Sequence, residues 1–269
     1  MNCAVIIVNW NGADILRQCL HGLLRQECHR VYVVDNGSTD GSQEVVRSEF
    51  PAVTLICSPA NLGFAAGNNL GIERAVRDGA EAVCLLNNDT IIDEPFIGPC
   101  LEALRSDSSI GVVGPVVVEG NASDIIQAAG GNWNLWTVDM PFRKRGLPFQ
   151  RIAECETVDW VLGAAMIIRT DMLPKIGGPL DPEFFPAYVE EAELCYRARL
   201  GGFRSIVVHA VRVRHLGGQS GGAKAVVFRR MMINRYRFAL KHLSPTKFAV
   251  AATAITLRCL VEKVVPKWS

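Results

Sequence analysis

The chain has 269 residues, of which 49% are hydrophobic and 20% charged, and its formal net charge is +1. This composition is typical of a folded globular protein and excludes an intrinsically disordered chain. No apolar run approaches 18 residues and residues 1–10 lack a basic leader, so we expect neither a transmembrane helix nor a signal peptide.

The charge is distributed unevenly. Residues 224–269 carry ten Lys or Arg and one acid, Glu262, which leaves a net charge of −8 on the rest of the chain. A basic tail with helical spacing predicts contact with an anionic surface, either membrane headgroups or nucleic acid. A solvated helix face or a helix pair packed on the domain would also explain it. The nine cysteines form no C-x-x-C pair, so we expect a reducing cytoplasm and neither a disulfide framework nor a zinc site.

Up to residue 115, short apolar runs alternate with stretches of helical spacing. Strands are predicted at 4–8, 31–34, 53–57 and 83–86, and helices at about 13–26, 41–49, 64–78 and 94–105. This alternation predicts βαβ units and an α/β fold with a mostly parallel sheet.

Polar residues follow each of these strands. The residues at or beyond the strand ends are Asn9, Asp35, Asn61 and the triplet Asn87-Asn88-Asp89. Turn chemistry alone could explain any one of them. Because the carboxyl ends of parallel strands meet at one edge, we expect a ligand-binding crevice there.

After residue 115 the alternation stops. We predict a long loop at 132–157, a strand at 164–169, a helix at about 189–200 and a strand pair in 203–222 that runs into glycines. On that helix Glu191 shares a stripe with Cys195 and Ala198, so burial would raise its pKa while the helix N-terminus would lower it. This environment suits a general base.

Other polar residues of this half have simpler explanations. Glu190 fits an acidic helix start, and Glu193 lies four residues before Arg197, which predicts a surface ion pair. His215 ends a strand just before the glycine-rich stretch 216–222, so it is either a ligand beside a mobile lid or a satisfied core histidine.

Some nucleotide-binding motifs are missing. The glycines of "NLGFAAGNNLG" are at 63, 67 and 71, which is not the G-x-G-x-x-G spacing, and no G-x-x-x-x-G-K-[ST] occurs. A Rossmann dehydrogenase and a P-loop enzyme are therefore disfavoured.

Six motifs nevertheless occur in an ordered series: "VIIVNWNG", "VYVVDNGSTDGS", "NLGFAAGNNLGI", "CLLNNDT", "GAAMIIR" and "FFPAYVEEAELCYRARLGGFR…RVRHLGGQS". Over about residues 4–220 the chain resembles family 2 glycosyltransferases, and within them the bacterial rhamnosyltransferase-like subgroup. The resemblance implies a GT-A fold, with a donor-binding half at 1–115, an acceptor-binding and catalytic half at 116–222, and a basic helical tail at 223–269.

The resemblance also implies residue roles. Asp89 and His215 would hold Mg²⁺ or Mn²⁺ against the donor diphosphate, and Asp35 would accept the N3–H of uracil or thymine. The remaining expected donor-binding residues are Asn9, Asn61, Asn68 and Asn88. Trp160 would contact the acceptor, and Glu191 would be the catalytic base.

The implied reaction is inverting transfer of a sugar, with L-rhamnose from dTDP-rhamnose favoured, to a saccharide or lipid-linked acceptor in cell-surface polysaccharide synthesis. The protein would lie in the cytoplasm, peripheral to the membrane, without a nucleic-acid partner. The family commonly has Glu-Asp where this chain has Glu190-Glu191, which also leaves open a catalytically impaired, membrane-associated nucleotide-sugar-binding homologue. A sugar nucleotidyltransferase is disfavoured because its glycine- and arginine-rich N-terminal loop is missing.

Overall fold

The structure is a computed structural model that describes residues 1–26, 28–121, 123–217 and 224–264, with side-chain surroundings described up to residue 261. Most of the predicted glycine-rich lid therefore lies outside the described residues. The first half alternates as the sequence predicts. Its elements are β1 (Cys3–Asn9), α1 (Ala13–Leu23), β2 (Arg30–Asp35), α2 (Ser42–Glu49), β3 (Thr54–Cys57), α3 (Gly63–Arg77), β4 (Ala82–Leu86), β5 (Thr90–Ile91) and α4 (Ile97–Ser106).

The second half is richer in strands than the sequence indicated. Its elements are β6 (Ile110–Glu119), β7 (Ile126–Ala128), β8 (Cys155–Val158), β9 (Ala165–Arg169), α5 (Glu190–Leu200), β10 (Arg204–His215), α6 (Lys224–His242) and α7 (Pro245–Val264), with two short 3₁₀ turns at Thr170–Ile176 and Pro182–Phe184. The predicted strand at 164–169 and helix at 189–200 are confirmed.

The predicted strand pair in 203–222 is wrong, because β10 is one twelve-residue strand. An irregularity in its pairing with β6, between Val208 and Arg212, lets the strand continue without the turn that a strand pair would need. Such a bulge is set by the partner strand, so periodicity alone does not show it.

In the described part of the chain the strands form a single ten-stranded sheet whose main path runs β3-β2-β1-β4-β9-β6-β10-β5. Strands β1 to β4, β6 and β10 run in one direction, and β9 runs antiparallel between β4 and β6. Residue 115 lies within β6, so both predicted halves contribute to this sheet. The division of labour between the halves stays a prediction.

The sheet is buried on both faces. Alternate residues along β1 point to opposite sides: Val5 and Ile7 pack with α1, α2 and α4, whereas Ala4 and Ile6 pack with α3, α5 and α6. Both faces being covered explains why the strands are continuous apolar runs.

Helix α3 approaches the sheet through glycines. A Cβ at Gly67 would lie 2.9 Å from a Val8 methyl carbon, and one at Gly71 would lie 2.4 Å from Ile6. These glycines are spaced by four residues, so they form the helix face against β1. Their spacing therefore reflects close packing of a helix on a sheet.

The C-terminal helices pack on the domain. Helix α6 buries Met232, Asn234, Phe238 and Ala239, and in α7 Ala251 is fully buried. Helix pairing on the domain, one of the alternatives for the basic tail, is therefore confirmed.

This packing corrects the expectation for Glu193. Its side chain is fully buried and accepts hydrogen bonds from Nε of Arg197 at 2.9 and 3.0 Å. His242 of α6 lies 2.9 Å from the same carboxylate. The predicted surface pair is thus an interior one, because a helix that follows much later in the chain covers it.

Candidate active site

The predicted crevice at the carboxyl edge of the sheet is present. Strand register sets Asn9 beside Asp35, and the backbone N–H of Asn36 donates to the Asn9 carbonyl at 2.8 Å. A cavity of about 560 Å³ opens at this edge. The carboxyl ends of β1 and β2 and the start of α3 form part of its wall. The rest of the wall consists of Asn61, residues 87–89, residues 185–188, His215 and Arg230.

Asp89 and His215 meet inside this cavity. Pairing of β5 with β10 sets His215 beside Thr90, and His215 Nε2 lies 3.1 Å from an Asp89 carboxylate oxygen. His215 Nδ1 lies 2.8 Å from Gln127 Oε1, and Nε2 lies 3.1 Å from the Asn87 amide nitrogen. With Nδ1–H donating to Gln127, Nε2 is left to accept from Asn87, bind a cation, or donate to Asp89 when protonated.

This donor set fits a hard divalent cation shared with a substrate. Among the described residues no group of three His, Cys, Asp or Glu forms a complete site. Mg²⁺ commonly takes one or two carboxylates and completes its shell with phosphate oxygens and water. A carbonyl oxygen bonded to the far nitrogen, as Gln127 provides for His215, is the usual support of a metal-binding imidazole.

Asn9 and Asp35 lie behind the cavity wall. Asn9 is fully buried and accepts a hydrogen bond from the Asn88 amide at 2.8 Å. Asp35 accepts from the Ser38 N–H at 3.1 Å and from Gln43 Nε2 at 2.8 Å through one oxygen. Its other oxygen is buried without a partner in the described structure. A buried carboxylate oxygen left in this way can accept an N–H from a ligand.

Asn61 and Asn68 have different positions. Asn61 lines the cavity, and its Oδ1 accepts from the Gly63 N–H and from the Asn36 amide, at 2.9 and 3.1 Å. Asn68 is buried in α3 and donates to the Phe64 carbonyl at 2.9 Å, so it does not line the cavity. Its part in donor binding stays a prediction.

Two glutamates begin helix α5 beside the cavity. Glu190 is 2% exposed, and Glu190 and Glu191 each keep one buried carboxylate oxygen without a partner in the described structure. Burial raises the pKa of Glu190 well above its ordinary value, and the Glu191 charge adds to the rise. Burial also raises the pKa of Glu191, against nearby backbone N–H groups that favour its charged form. The predicted stripe is confirmed, since Cys195 and Ala198 are buried.

Glu191 is adjacent to the cavity through Gly163. A Cβ at Gly163 would lie 3.6 Å from Glu191 Cβ and 3.5 Å from the edge of the Phe64 ring, which lines the cavity. Both are ordinary van der Waals distances, so Gly163 lies between Glu191 and Phe64, and Glu191 is next to a residue of the cavity wall.

The turn before α5 has an unusual backbone. Tyr188 and Val189 both have φ of +82°, a region that a β-branched residue rarely occupies. The fully buried Asn234 of α6 donates through Nδ2 to the carbonyls of Phe184, Ala187 and Tyr188, at 2.9, 3.0 and 2.9 Å. Asn234 therefore holds this turn, and with it the start of α5.

Trp160 is 3% exposed and donates from Nε1 to the Asn132 carbonyl at 3.2 Å. It does not line the cavity, and its role in acceptor binding stays a prediction. Sequence reasoning missed Gln127, Arg230 and Asn234. Charge singled out Arg230 only as part of the tail, and the other two carried no local signal.

A conserved-domain comparison identifies the class of protein to which this geometry belongs. The model of "Glycosyl transferase family 2" matches residues 4–159, more than half of the chain. The chain therefore belongs to glycosyltransferase family 2.

Relatives in this family include rhamnosyltransferases. The chain is 26% identical over 217 residues to the N-acetylglucosaminyl-diphospho-decaprenol L-rhamnosyltransferase of Mycobacterium tuberculosis, covering 71% of this chain and 68% of that protein. It is also 26% identical over 222 residues to the dTDP-rhamnosyl transferase RfbF of Shigella flexneri, covering 81% and 70%. The expected rhamnosyltransferase-like subgroup is supported.

Solved structures confirm the GT-A fold. GalNAc-T7, solved with UDP, GalNAc and Mn²⁺, superposes with a TM-score of 0.70 at 18% identity, over 92% of this chain. The chain spans about half of that protein, 49% of its length. The mannosyltransferase PcManGT of Pyrobaculum calidifontis, solved with GDP-Man and Mn²⁺, gives 0.63 at 16% identity, over 99% of this chain and 76% of its own.

Glu190→Gln should stabilise the protein at neutral pH. Because the pKa of Glu190 is raised on folding, the folded chain binds more protons than the unfolded chain above the ordinary value of 4.5, so the free energy of unfolding falls as pH rises. The glutamine of the variant does not titrate, so it removes this fall in the free energy of unfolding. We expect a gain of about 1–3 kcal/mol at pH 8, the range for an unsatisfied buried group, that shrinks towards pH 4.

Urea unfolding at pH 4, 6 and 8 measures this difference. Glu73→Gln is the control, since Glu73 is an exposed glutamate of α3. A Glu190→Gln variant no more stable than the parent at pH 8 would show that folding does not raise the pKa of Glu190.

Proposed function

We propose that the protein is an inverting glycosyltransferase that moves a sugar from a nucleoside diphosphate donor to an acceptor hydroxyl, with Glu191 as the base. The observation that carries the proposal is the buried, unpartnered oxygen of Glu191 beside a cavity that also contains Asp89 and His215. A general base works best with a pKa near the operating pH. The burial that raises the pKa of Glu191 acts in that direction.

The proposed reaction is a single displacement. The acceptor O–H gives its proton to Glu191 as the oxygen forms a bond to the anomeric carbon. The bond from that carbon to the donor phosphate oxygen breaks, and its electron pair leaves with the nucleoside diphosphate. Attack opposite the leaving group inverts the anomeric carbon. Charge accumulates on the diphosphate, so groups that hold it there accelerate the reaction.

The donor would be held by the strand tips. The unpartnered oxygen of Asp35 is suited to accept the N3–H of thymine or uracil, with Asn9 behind Asn88 shaping the same wall. Asp89 and His215 would hold a Mg²⁺ or Mn²⁺ ion, which would neutralise charge on the diphosphate. The rhamnosyltransferase relatives favour dTDP-L-rhamnose as donor.

The acceptor would be a saccharide or a lipid-linked saccharide of the cell surface. The name of the Mycobacterium relative, which acts on a decaprenol-linked sugar, supports a lipid-linked acceptor. Trp160 packs against Phe142 and does not line the cavity, so any contribution of it to acceptor binding would be indirect.

Glu191→Gln should retain donor binding and lose nearly all turnover, about 10³-fold or more, because the amide cannot accept the proton. Nucleotide-sugar consumption and donor affinity measure the two effects. The control is Glu73→Gln, an exposed substitution of the same kind on α3.

Wild-type turnover in Glu191→Gln would remove Glu191 from the role of base. If the wild-type chain binds the donor and shows no turnover with any acceptor tested, the catalytically impaired homologue replaces the enzyme proposal.

Asp89→Ala should abolish the dependence of nucleotide affinity on Mn²⁺, because it removes the carboxylate that would bridge to the cation. Titration of dTDP and UDP with Mn²⁺ and with EDTA tests this. Asp14→Ala is the control, since the Asp14 side chain is 95% exposed on α1. Equal Mn²⁺ dependence in Asp89→Ala and the parent would overturn the metal assignment.

We also propose that α7 rests on a membrane surface near the acceptor. No helix among the described residues is long and apolar enough to cross a bilayer. Leu257, Leu260 and Val261 are 57%, 53% and 59% exposed at a spacing that puts them on one helix face. Since Arg258 pairs with Asp139 within the protein, apolar contact would contribute more than charge.

The double variant Leu257→Ser/Leu260→Ser should weaken binding to vesicles of phosphatidylglycerol and phosphatidylcholine, measured by cosedimentation, by at least about tenfold. Each lost leucine contact contributes roughly 1 kcal/mol or more when buried in lipid. Leu200→Ser is the control, because Leu200 is 69% exposed at the end of α5. Equal sedimentation of both variants would exclude this face as the contact.

A further inference from the structure

We propose that Arg230, on helix α6, binds the diphosphate of the donor and stabilises it as it leaves. The inference rests on the proposed function, since it assigns a further residue to the same reaction. Arg230 lies in the region that the charge distribution assigned to a basic tail. The structure gives it a different surrounding from the other arginines of that region.

Arg230 lines the same cavity as Asn88, Asp89 and His215. It is partly buried, whereas the preceding Arg229 is exposed to solvent. Two adjacent arginines on one helix point in different directions, so only Arg230 faces the proposed donor site. Variants of Arg229 and Arg230 therefore compare the loss of a positive charge outside the cavity with the loss of one inside it.

The position of Arg230 is fixed by its own helix. Asn234 lies one turn further along α6, on the same face, and its amide donates to three carbonyls of the segment 184–188. Arg237 donates to the Glu183 carbonyl at 2.6 Å and to Asn234 Oδ1 at 2.9 Å. The helix is therefore fastened to the cavity wall at the turn next to Arg230, which fixes the backbone from which the guanidinium extends.

The chemistry of Arg230 suits a diphosphate. A guanidinium presents up to five N–H donors in a planar fork that matches two phosphate oxygens, and it remains charged at any physiological pH. Arg230 also interacts with groups of the protein, and a guanidinium with five N–H donors can bind several acceptors at once. Because negative charge on the diphosphate grows as the sugar bond breaks, such a contact strengthens towards the transition state.

The experiment compares nucleotide binding by the full chain and its variants in calorimetric titrations with dTDP, UDP, thymidine and uridine, each in Mn²⁺ and in EDTA. We expect Arg230→Ala to weaken dTDP or UDP binding at least tenfold, as loss of a charged hydrogen bond would, and to leave nucleoside binding within twofold. Arg230→Lys should restore part of the diphosphate affinity. Arg229→Ala should stay within twofold throughout.

Two results would overturn the assignment while leaving the proposed function intact. One is wild-type diphosphate affinity in Arg230→Ala. The other is an equal loss for nucleosides and diphosphates, which would show that the substitution disturbs the cavity as a whole. If the wild-type chain binds no nucleoside diphosphate, with or without Mn²⁺, the proposed function fails and this inference fails with it.

Discussion

The side-chain amide of Asn234 controls the geometry on which the candidate site depends. The two residues before α5 have left-handed backbone, a conformation that costs roughly 1–3 kcal/mol for each non-glycine residue. The two N–H donors of one buried amide, which lie within hydrogen-bonding distance of three carbonyls of the segment, offset that cost and fix the turn. The same segment approaches α3, where the Phe64 N–H donates to the Pro186 carbonyl at 2.7 Å. The turn therefore sets the cavity wall and the direction of α5 together.

The glutamates of helix α5 differ in whether their carboxylate charges are compensated by neighbouring groups. Glu193 is buried, but Arg197 and His242 surround its carboxylate, so its charge is compensated. Glu190 is buried and Glu191 is partly buried; each has one buried carboxylate oxygen without a partner among the described residues, and burial raises both pKa values. A fold selected for stability alone would pair or replace such groups. A carboxyl group that takes part in proton transfer must hold a proton more readily than it does in water. Two glutamates with raised pKa values beside a cavity meet this requirement.

Local patterns predicted the elements of the first half of the chain and left much of the second half undetermined. Strands β1, β2 and β4 are almost wholly buried and are bounded by turn residues, so the polar residues at or just beyond their ends, including Asp35 and Asp89, could be aligned from sequence. Gln127 and Asn234 could not be found in this way. Gln127 reaches His215 only because β7 pairs with β6, and Asn234 reaches the turn at Tyr188 only because α6 folds back over α5. Neither contact produces a periodic pattern in the sequence from which it could be predicted.

The charges of the residues around the cavity include one from the basic tail, Arg230 of α6. Of the lining residues that the structure describes, Asp89 carries negative charge, Arg230 positive charge, and His215 can carry a proton. A nucleoside diphosphate adds at least two negative charges to this nearly balanced wall. Those charges must be compensated where water is partly excluded, because unpaired charge is expensive there. A divalent cation at Asp89 and His215 together with the Arg230 guanidinium would supply three positive charges. If the proposed function holds, α6 would contribute Arg230 to the donor site, and this residue of the basic tail would serve the crevice.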